Sequence, residues 1–398
     1  MRKLVAIALA GLSIAGIAAA QPHQHNMEST MAGDQEAFTA TPAFAPDGTL
    51  WVARVEANRV VVNRSTDLGE TFSAPVSVAP GPIDVDWGPD SRPQIAIGRD
   101  GHVIVTYAVF KDKHFNGRVY YTRSTDGGVS FVPPKPITGD DTSQRFQATA
   151  IDSDGRLFAA WLDKRHAAAA KAGKPYPGAA LAYAWSNDDG TTFGDTHIAV
   201  DDTCECCRLS VAMAGPGRPA VLFRNIFAGS VRDHALVTFT GPTTPGPLRR
   251  VSVDNWKIEA CPHQGPSLAI APDGSYHAAW FTDGAARQGL FYASADNADA
   301  PFSAPRALSS PERRPARPYL LANGKALHLV WKEFDGNRTR IRWEVSHDSG
   351  RSWSAPRTIA DTEDASDHPL LVAYKDHTYL SWLTRNEGYR LIPLEARP

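Results

Sequence analysis

The amino-acid sequence predicts an all-β protein, a β-propeller of seven four-stranded blades. Two internal repeats carry this prediction, one a short turn motif and the other a longer pattern of alternating apolar and polar residues. Both recur along nearly the whole of a chain of 398 residues. The composition agrees, because 31 glycines and 30 prolines favour many turns and short strands over long helices.

The turn motif reads Ser-x-Asp-x-Gly-x-Thr/Ser and ends in an aromatic residue. In a tight turn the aspartate accepts hydrogen bonds from backbone amides, the glycine adopts a positive φ, and the aromatic ring anchors the turn in the core. This role is structural, so we assign the motif no catalytic function. Good copies lie at 64–72, 123–131, 186–193 and 346–353, and a degraded copy lies at 294–302.

The longer repeat predicts two strands joined by a hairpin turn, usually at Asp-Gly, in each of seven units. A third strand precedes each turn motif and a fourth follows it, which makes each unit a propeller blade. The last unit lacks an outer strand, which the segment before Thr41 would supply to close the ring. In six of the seven units the second strand ends in an aromatic residue, expected in the core between blades: Tyr107, Trp161, Phe223, Trp280, Trp331 and Trp382.

The first residues have the features of a cleaved secretory signal peptide. Arg2 and Lys3 precede an apolar run from 4 to 17, and three alanines at 18–20 offer a cleavage site. The mature protein is therefore expected in the periplasm or outside the cell, where disulfides persist. The predicted organisation is a signal peptide at 1–20, a flexible leader containing His and Met at 21–35, and a propeller domain at 36–398.

The charge of the chain is balanced, with 41 Lys+Arg against 43 Asp+Glu, so nothing in it indicates nucleic-acid binding. No second long apolar run follows the signal peptide, and no membrane span is expected. The remaining ligand classes are a small molecule, a glycan or a metal ion at the mouth of the propeller. The sequence names neither a particular glycan nor an oligomeric state.

The four cysteines are concentrated in two places. Cys204, Cys206 and Cys207 stand together, and Cys261 stands two residues before His263. Alignment of the units on their Asp-Gly turns matches Cys204 with Cys261 and Cys206 with His263, just before the innermost strands of blades four and five. These connections reach the face around the central channel. We therefore expect all five side chains to cluster at the channel mouth.

Two interpretations of this cluster stay open, with a catalytic thiol as a less favoured third. One is a disulfide that joins Cys261 to Cys204 or Cys207 across adjacent blades. The other is a soft-metal site in which thiolates and His263 bind copper(I) or zinc. The leader favours copper, because it contains His23, His25, Met27 and Met31.

The turn motif resembles the Asp-box, or BNR repeat, of the sialidase-like propeller superfamily, and the resemblance covers nearly the whole mature chain. Well-known sialidases have six blades, so six is the alternative blade number. The chain also resembles uncharacterised bacterial sialidase-like proteins that carry Cys-x-Cys-Cys and a later Cys-Pro, which implies no known activity. The matching residues are 204–207, 223–225, 231–233 and 255–262.

The resemblance to sialidases implies three arginines that bind the substrate carboxylate, a Tyr/Glu nucleophile pair and an Asp acid/base. The Arg-Ile-Pro motif of those enzymes is absent here. The sequence therefore predicts a binding protein with a Cys/His site, and the alternative is an exo-acting glycoside hydrolase of the sialidase type. Candidate catalytic residues are Arg92, Arg317, Asp90, Glu333 and Tyr389, with Asp163 and Asp367 as further acids, and candidate anion- or ligand-binding residues are Arg145, Arg208, Arg224 and Arg232.

Overall fold

The computed structural model describes residues 39–88, 90–167 and 178–394. These residues form seven antiparallel β-sheets and, among themselves, a single short 3₁₀ turn at Pro311–Arg313. The predicted all-β propeller of seven blades is confirmed, and the six-bladed alternative is wrong. The predicted signal peptide and leader lie outside the described residues. No helix within the three described ranges is long and apolar enough to cross a membrane.

The first strands of consecutive blades contact one another around a closed ring. The first strand of each blade is therefore its innermost strand. Blades one and two contain β1 (Ala40–Phe44), β2 (Leu50–Glu56), β3 (Arg59–Ser65), β4 (Val76–Ser77), β5 (Gln94–Ile97), β6 (Val103–Phe110), β7 (Gly117–Ser124) and β8 (Lys135–Pro136). Blades three and four contain β9 (Gln144–Ile151), β10 (Leu157–Asp163), β11 (Ala179–Ser186), β12 (His197–Thr203), β13 (Ser210–Met213), β14 (Pro219–Arg224), β15 (His234–Gly241), β16 (Thr244–Pro245) and β17 (Arg249–Arg250).

The last three blades follow the same antiparallel order. They contain β18 (Ser267–Ile270), β19 (Tyr276–Asp283), β20 (Gln288–Ala295), β21 (Arg306–Ala307), β22 (Ala316–Asn323), β23 (Ala326–Phe334), β24 (Thr339–Ser346), β25 (Arg357–Thr362), β26 (Leu370–Tyr374), β27 (His377–Thr384) and β28 (Gly388–Pro393). The sheet of blade seven has three strands in the described part of the chain. Its predicted fourth strand, from the segment before Thr41, falls largely on residues outside that part.

The core lies between the blades and is filled from their second strands. The four tryptophans predicted there are fully buried, at no more than 1% exposure. A buried indole N–H needs an acceptor, and in three blades a buried carboxylate provides it. The pairs are Trp161 with Asp163 at 3.1 Å, Trp280 with Asp254 at 2.8 Å and Trp331 with Glu333 at 3.1 Å.

The turn motif has the predicted geometry, as its copy in blade three illustrates. Asp188 accepts hydrogen bonds from Ser186 Oγ at 2.9 Å and from the Thr192 amide at 2.9 Å. Gly190 has a φ of 76°, and its amide donates to Ser186 Oγ at 2.9 Å. All of these bonds are local, so the motif holds a turn and leaves the channel to other residues.

Candidate functional site

The segments that enter the innermost strands bring charged side chains to the axis of the propeller. Asp90 precedes β5, Arg208 precedes β13 and Arg317 lies at the start of β22, so they belong to blades two, four and six. Asp90 Oδ1 accepts hydrogen bonds from Arg317 Nη1 at 2.9 Å and from Arg208 Nη1 at 3.3 Å. Bonds between blades that are not adjacent cross the axis. These residues therefore line one mouth of the central channel.

A close backbone approach completes this contact. The Gly265 amide donates to Asp90 Oδ1 at 3.4 Å, and a Cβ atom at Gly265 would lie 2.1 Å from Arg208 Cγ. Only glycine therefore fits beside this arginine. Two residues before Gly265, the carbonyl oxygen of His263 accepts a hydrogen bond from Arg317 Nη1. The backbone that precedes blade five is thus bonded directly to the channel mouth.

A second carboxylate, Asp367 of blade seven, holds Arg92 of blade two. Arg92 donates from Nη1 to Oδ2 at 3.1 Å and from Nη2 to Oδ1 at 2.5 Å, with both side chains buried. Lys332 Nζ donates to the Asp367 carbonyl oxygen at 3.1 Å and to Ser366 Oγ at 2.8 Å, and burial lowers its pKa to about 8. The name "charged rim" is used below for Asp90, Arg92, Arg208, Arg317, Lys332 and Asp367.

The charged rim has four cationic groups and only two carboxylates, so positive charge is in excess. His368 adjoins it, and its pKa lies well below the usual value because burial, followed by the nearby Arg92 and Arg208, disfavours the imidazolium. The buried Oδ2 atom of Asp90 has no hydrogen-bond partner among the described residues. The rim therefore combines an excess of positive charge with one buried carboxylate oxygen that has no partner among the described residues.

Glu333 and Tyr389, the predicted acid and nucleophile, are not part of the charged rim. Glu333 accepts hydrogen bonds from Trp331 Nε1 and, at 2.6 Å, from Ser309 Oγ, so it fixes the core of blade six. Tyr389 accepts a hydrogen bond from Ser381 Oγ at 2.9 Å, and burial raises its pKa, which disfavours a phenolate. The structure therefore does not bring Glu333 and Tyr389 together as a Tyr/Glu pair at the channel mouth.

The four arginines predicted to bind an anion have separate surroundings. Arg145 forms a bidentate pair with Asp86, at 2.6 and 2.9 Å. Arg224 is fully buried and donates only to backbone carbonyl oxygens, one of them that of Arg232 at 2.7 Å. Arg232 lies beside Cys204, with its Nη1 atom 3.2 Å from the Cys204 sulfur. Of the four, only Arg208 belongs to the charged rim.

The cysteines and His263 meet beside the rim, on the connections that precede blades four and five. Their ligand atoms form two triads, each with all its atoms within 4.8 Å of one another: Cys204, Cys206 and Cys207, and Cys206, Cys261 and His263. The first triad is buried, whereas Cys261 is exposed and His263 is half-buried. All four cysteines are free. These five side chains are called the Cys/His cluster below.

Neighbouring groups favour a thiolate in the Cys/His cluster. Hydrogen bonds from Cys206 and Cys207 hold the pKa of Cys204 well below its usual value, and the charges of Arg232 and Arg224 act in the same direction. Arg232 Nη1 lies 3.2 Å from Cys204 Sγ. The cluster can therefore present thiolate sulfur to an incoming cation without leaving its negative charge uncompensated.

The short segment around Gln264 joins the Cys/His cluster to the charged rim. His263 contributes its ring to the cluster and its carbonyl oxygen to Arg317, while Gly265 bonds to Asp90. Both His263 and Arg317 have left-handed backbones, with φ of 47° and 57°, which is uncommon outside glycine. The cluster and the rim are thus connected through this segment.

Sequence reasoning missed Lys332, His368 and Gly265. A signal existed for His368, because it stands directly before a proline at the start of an innermost strand, as Arg92 and Arg317 do. Lys332 lies within a second strand, and Gly265 carries no side chain to mark it. Their positions depend on contacts between blades that no local pattern specifies.

Solved structures with this fold include enzymes that act on polysaccharides. A PL25 polysaccharide lyase, an ulvan lyase bound to -[GlcA(1-4)Rha3S]-, is similar with a TM-score of 0.58 and 11% identity over 90% of this chain and 93% of that one. Polysaccharide lyase Uly1 is similar with a TM-score of 0.56 and 9% identity over 91% of each chain. A protein of unknown function from Dyadobacter fermentans DSM 18053 has a TM-score of 0.50 and 15% identity over 78% of this chain and 94% of that one.

Sialidases are also among the similar structures, one being the Hadza microbial sialidase Hz136, with a TM-score of 0.49. No protein-family model matches this sequence, and no curated protein matches it. At these identities the likeness to solved structures shows the fold alone. The more specific resemblance to proteins that carry Cys-x-Cys-Cys stays a prediction.

Proposed function

We propose that this chain is a metal-binding propeller whose Cys/His cluster holds a soft cation, copper(I) or zinc. The supporting observation is the convergence of five soft donor atoms from two connections that are separated by a whole blade. Thiolate and imidazole ligands select these ions over magnesium or calcium. Arg232 supplies positive charge beside the thiolates. The predicted leader, with its His and Met residues, favours copper.

A disulfide is the competing state of the same sulfur atoms. A bridge from Cys261 to Cys204 or Cys207 would join adjacent blades and stabilise the fold by about 2–4 kcal/mol. It would also remove two of the ligands that a metal needs. Counting thiols with and without reductant separates the two states, because metal binding requires free thiols before the metal is added.

The test is a titration of anaerobically purified mature protein with Cu(I) and, separately, with Zn²⁺, each competed against a chromogenic chelator. We expect stoichiometric binding that is lost in Cys206→Ser and kept in His114→Ala, which alters an exposed histidine far along the chain. A His23→Ala/His25→Ala variant shows whether the leader contributes. A protein with no free thiols and no bound metal contradicts the proposal.

A second candidate function, binding of an anionic saccharide, is favoured by the charged rim. Its excess of positive charge suits a carboxylate or sulfate, and the partly exposed guanidinium groups of Arg208 and Arg317 are the donors that such an anion would meet. The ulvan lyase of the same fold is bound to a saccharide that contains GlcA and Rha3S. If the protein also cleaves such a saccharide, it is the exo-acting hydrolase that the sequence offered as the alternative. Glu333 and Tyr389 have hydrogen-bond partners outside the rim, so they do not supply its catalytic groups. A hydrolase would still need two carboxyl groups at a set separation.

Binding and turnover can be measured on one panel of uronic-acid, sulfated and sialic glycosides. We expect binding that weakens at least about tenfold, or about 1.4 kcal/mol, in Arg317→Gln. Arg351→Gln, which changes an exposed arginine, is the matched control. Equal binding by both variants rules out the rim as the saccharide site. Product release that depends on Arg317 would establish the enzymatic form.

A further inference from the structure

We infer that the Cys/His cluster binds two copper(I) ions that share the Cys206 thiolate as a bridging ligand. An inner ion is held by Cys204, Cys206 and Cys207, and an outer ion by Cys206, Cys261 and His263. This inference rests on the proposed metal binding, which it deepens by giving the metal, the stoichiometry and the ligand of each ion.

The grouping of the donor atoms supports two ions. The five ligand atoms fall into two sets of three, and Cys206 Sγ is the atom common to both. A structural zinc ion takes four ligands in a tetrahedron, which calls for one set of four mutually close donors. Copper(I) is stable with three soft ligands, and each triad provides three. Cluster geometry therefore fits a pair of three-coordinate ions.

Cys206 lies at the centre of the cluster. Its thiol contacts the side chains of Cys204, Cys207 and Cys261, which makes it the link between the two connections. Cys204 Sγ lies 3.6 Å from Cys206 Sγ. A thiolate has more than one lone pair, so this sulfur can bind one ion on each side. The other three sulfurs each belong to one triad.

The two triads differ in access to solvent. Cys204, Cys206 and Cys207 are at most 3% exposed, so an ion bound there is shielded. Cys261 is exposed and His263 is half-buried, so the outer position is open to solvent. An incoming ion meets the outer ligands first, and Cys206 provides the shared ligand through which it passes inward.

The charges of the cluster also match two monovalent ions. Two copper(I) ions neutralise half of the charge of four thiolates. The guanidinium groups of Arg232, at 3.2 Å from Cys204 Sγ, and of Arg224 match the remainder.

The test counts copper(I) ions in anaerobic, reduced mature protein of the His23→Ala/His25→Ala variant, competed with a chromogenic copper(I) chelator. We expect two tightly held ions per chain in this background. Adding His263→Ala should leave only the inner ion, and adding Cys207→Ser should leave only the outer ion. Adding Cys206→Ser should abolish stoichiometric binding at both positions. His263→Ala keeps every cysteine, so it separates ligand loss from a folding defect.

X-ray absorption gives an independent readout, because a shared thiolate places the two copper ions close enough for mutual scattering. We expect this copper–copper signal in the two-ion protein and its loss in both single-ion variants. A saturating stoichiometry of one ion per chain, without that signal, overturns the bridged pair while leaving metal binding intact. Absence of any bound copper(I) or zinc overturns the proposed function itself.

Discussion

At the scale of single residues, buried imidazoles are a feature of this propeller that its composition does not reveal. Burial lowers their pKa values, because the interior disfavours the charged form. For His277, which contacts Ser275 Oγ at 2.9 Å and Tyr292 OH at 2.7 Å, the pKa is lowered to about 4. The four buried histidines with lowered pKa values are His234, His277, His328 and His368.

These histidines predict a loss of stability in mild acid. Between pH 6.5 and about 4 the unfolded chain binds a proton at His277 that the folded protein does not. The contribution of His277 to the free energy of unfolding is therefore fully present above pH 6.5 and is lost as the pH decreases. The slope per histidine approaches about 1.4 kcal/mol per pH unit. We expect His277→Gln to flatten the profile of unfolding free energy measured by denaturant between pH 7 and 5.

The matched control for this experiment is His114→Gln, because His114 is exposed and should keep the wild-type slope. Both variants are measured with a chelator present, so that metal release from the Cys/His cluster does not contribute to the pH dependence. An unchanged slope in His277→Gln would show that this imidazole is not the group that resists protonation.

At the scale of structural elements, the features predicted best are those whose bonds are local. The turn motif is closed by hydrogen bonds within a few residues, so a short pattern is enough to recognise it. The hairpin repeat places each second-strand tryptophan by its register alone. Glu333 shows the limit of this reasoning, because the sequence did not reveal that its carboxylate accepts from the nearby Trp331 indole and from Ser309. It is a core acceptor and not a member of the channel mouth.

Unit alignment also predicted which segments meet at the axis, because equivalent positions in a propeller lie on one circle. Arg92, Arg208 and Arg317 were among the candidate arginines in the sequence, and the structure brings these three to the charged rim, whereas the other candidates, Arg145, Arg224 and Arg232, have different partners. Their pairing could not be predicted in the same way. Asp90 accepts hydrogen bonds from one arginine of blade four and one of blade six. Which arginines reach it depends on the three-dimensional spacing of the blades and on the close approach of Gly265.

At the scale of the whole molecule, one buried carboxylate bonds across the junction where the ring closes. The first strand packs against β26 and β27, and the Ala40 amide donates to Asp367 Oδ2 at 3.0 Å. The same carboxylate forms the bidentate pair with Arg92, whose side chain is 6% exposed. Asp367 therefore joins the last blade to the first and the second. Its contacts span most of the chain, which is why the sequence marked it only as one acid among several.

This arrangement predicts that Asp367→Ala destabilises the propeller by about 3–5 kcal/mol, because it leaves the buried guanidinium of Arg92 unpaired. Replacing both partners, as in Arg92→Met/Asp367→Leu, removes that charge and should recover much of the loss. The comparison is the more exposed Arg338–Asp361 pair, where Asp361→Ala should cost no more than about 1 kcal/mol. Denaturant unfolding of the four proteins, wild type included, measures these differences. If Asp367→Ala costs no more than Asp361→Ala, the ring is closed by strand packing and not by this carboxylate.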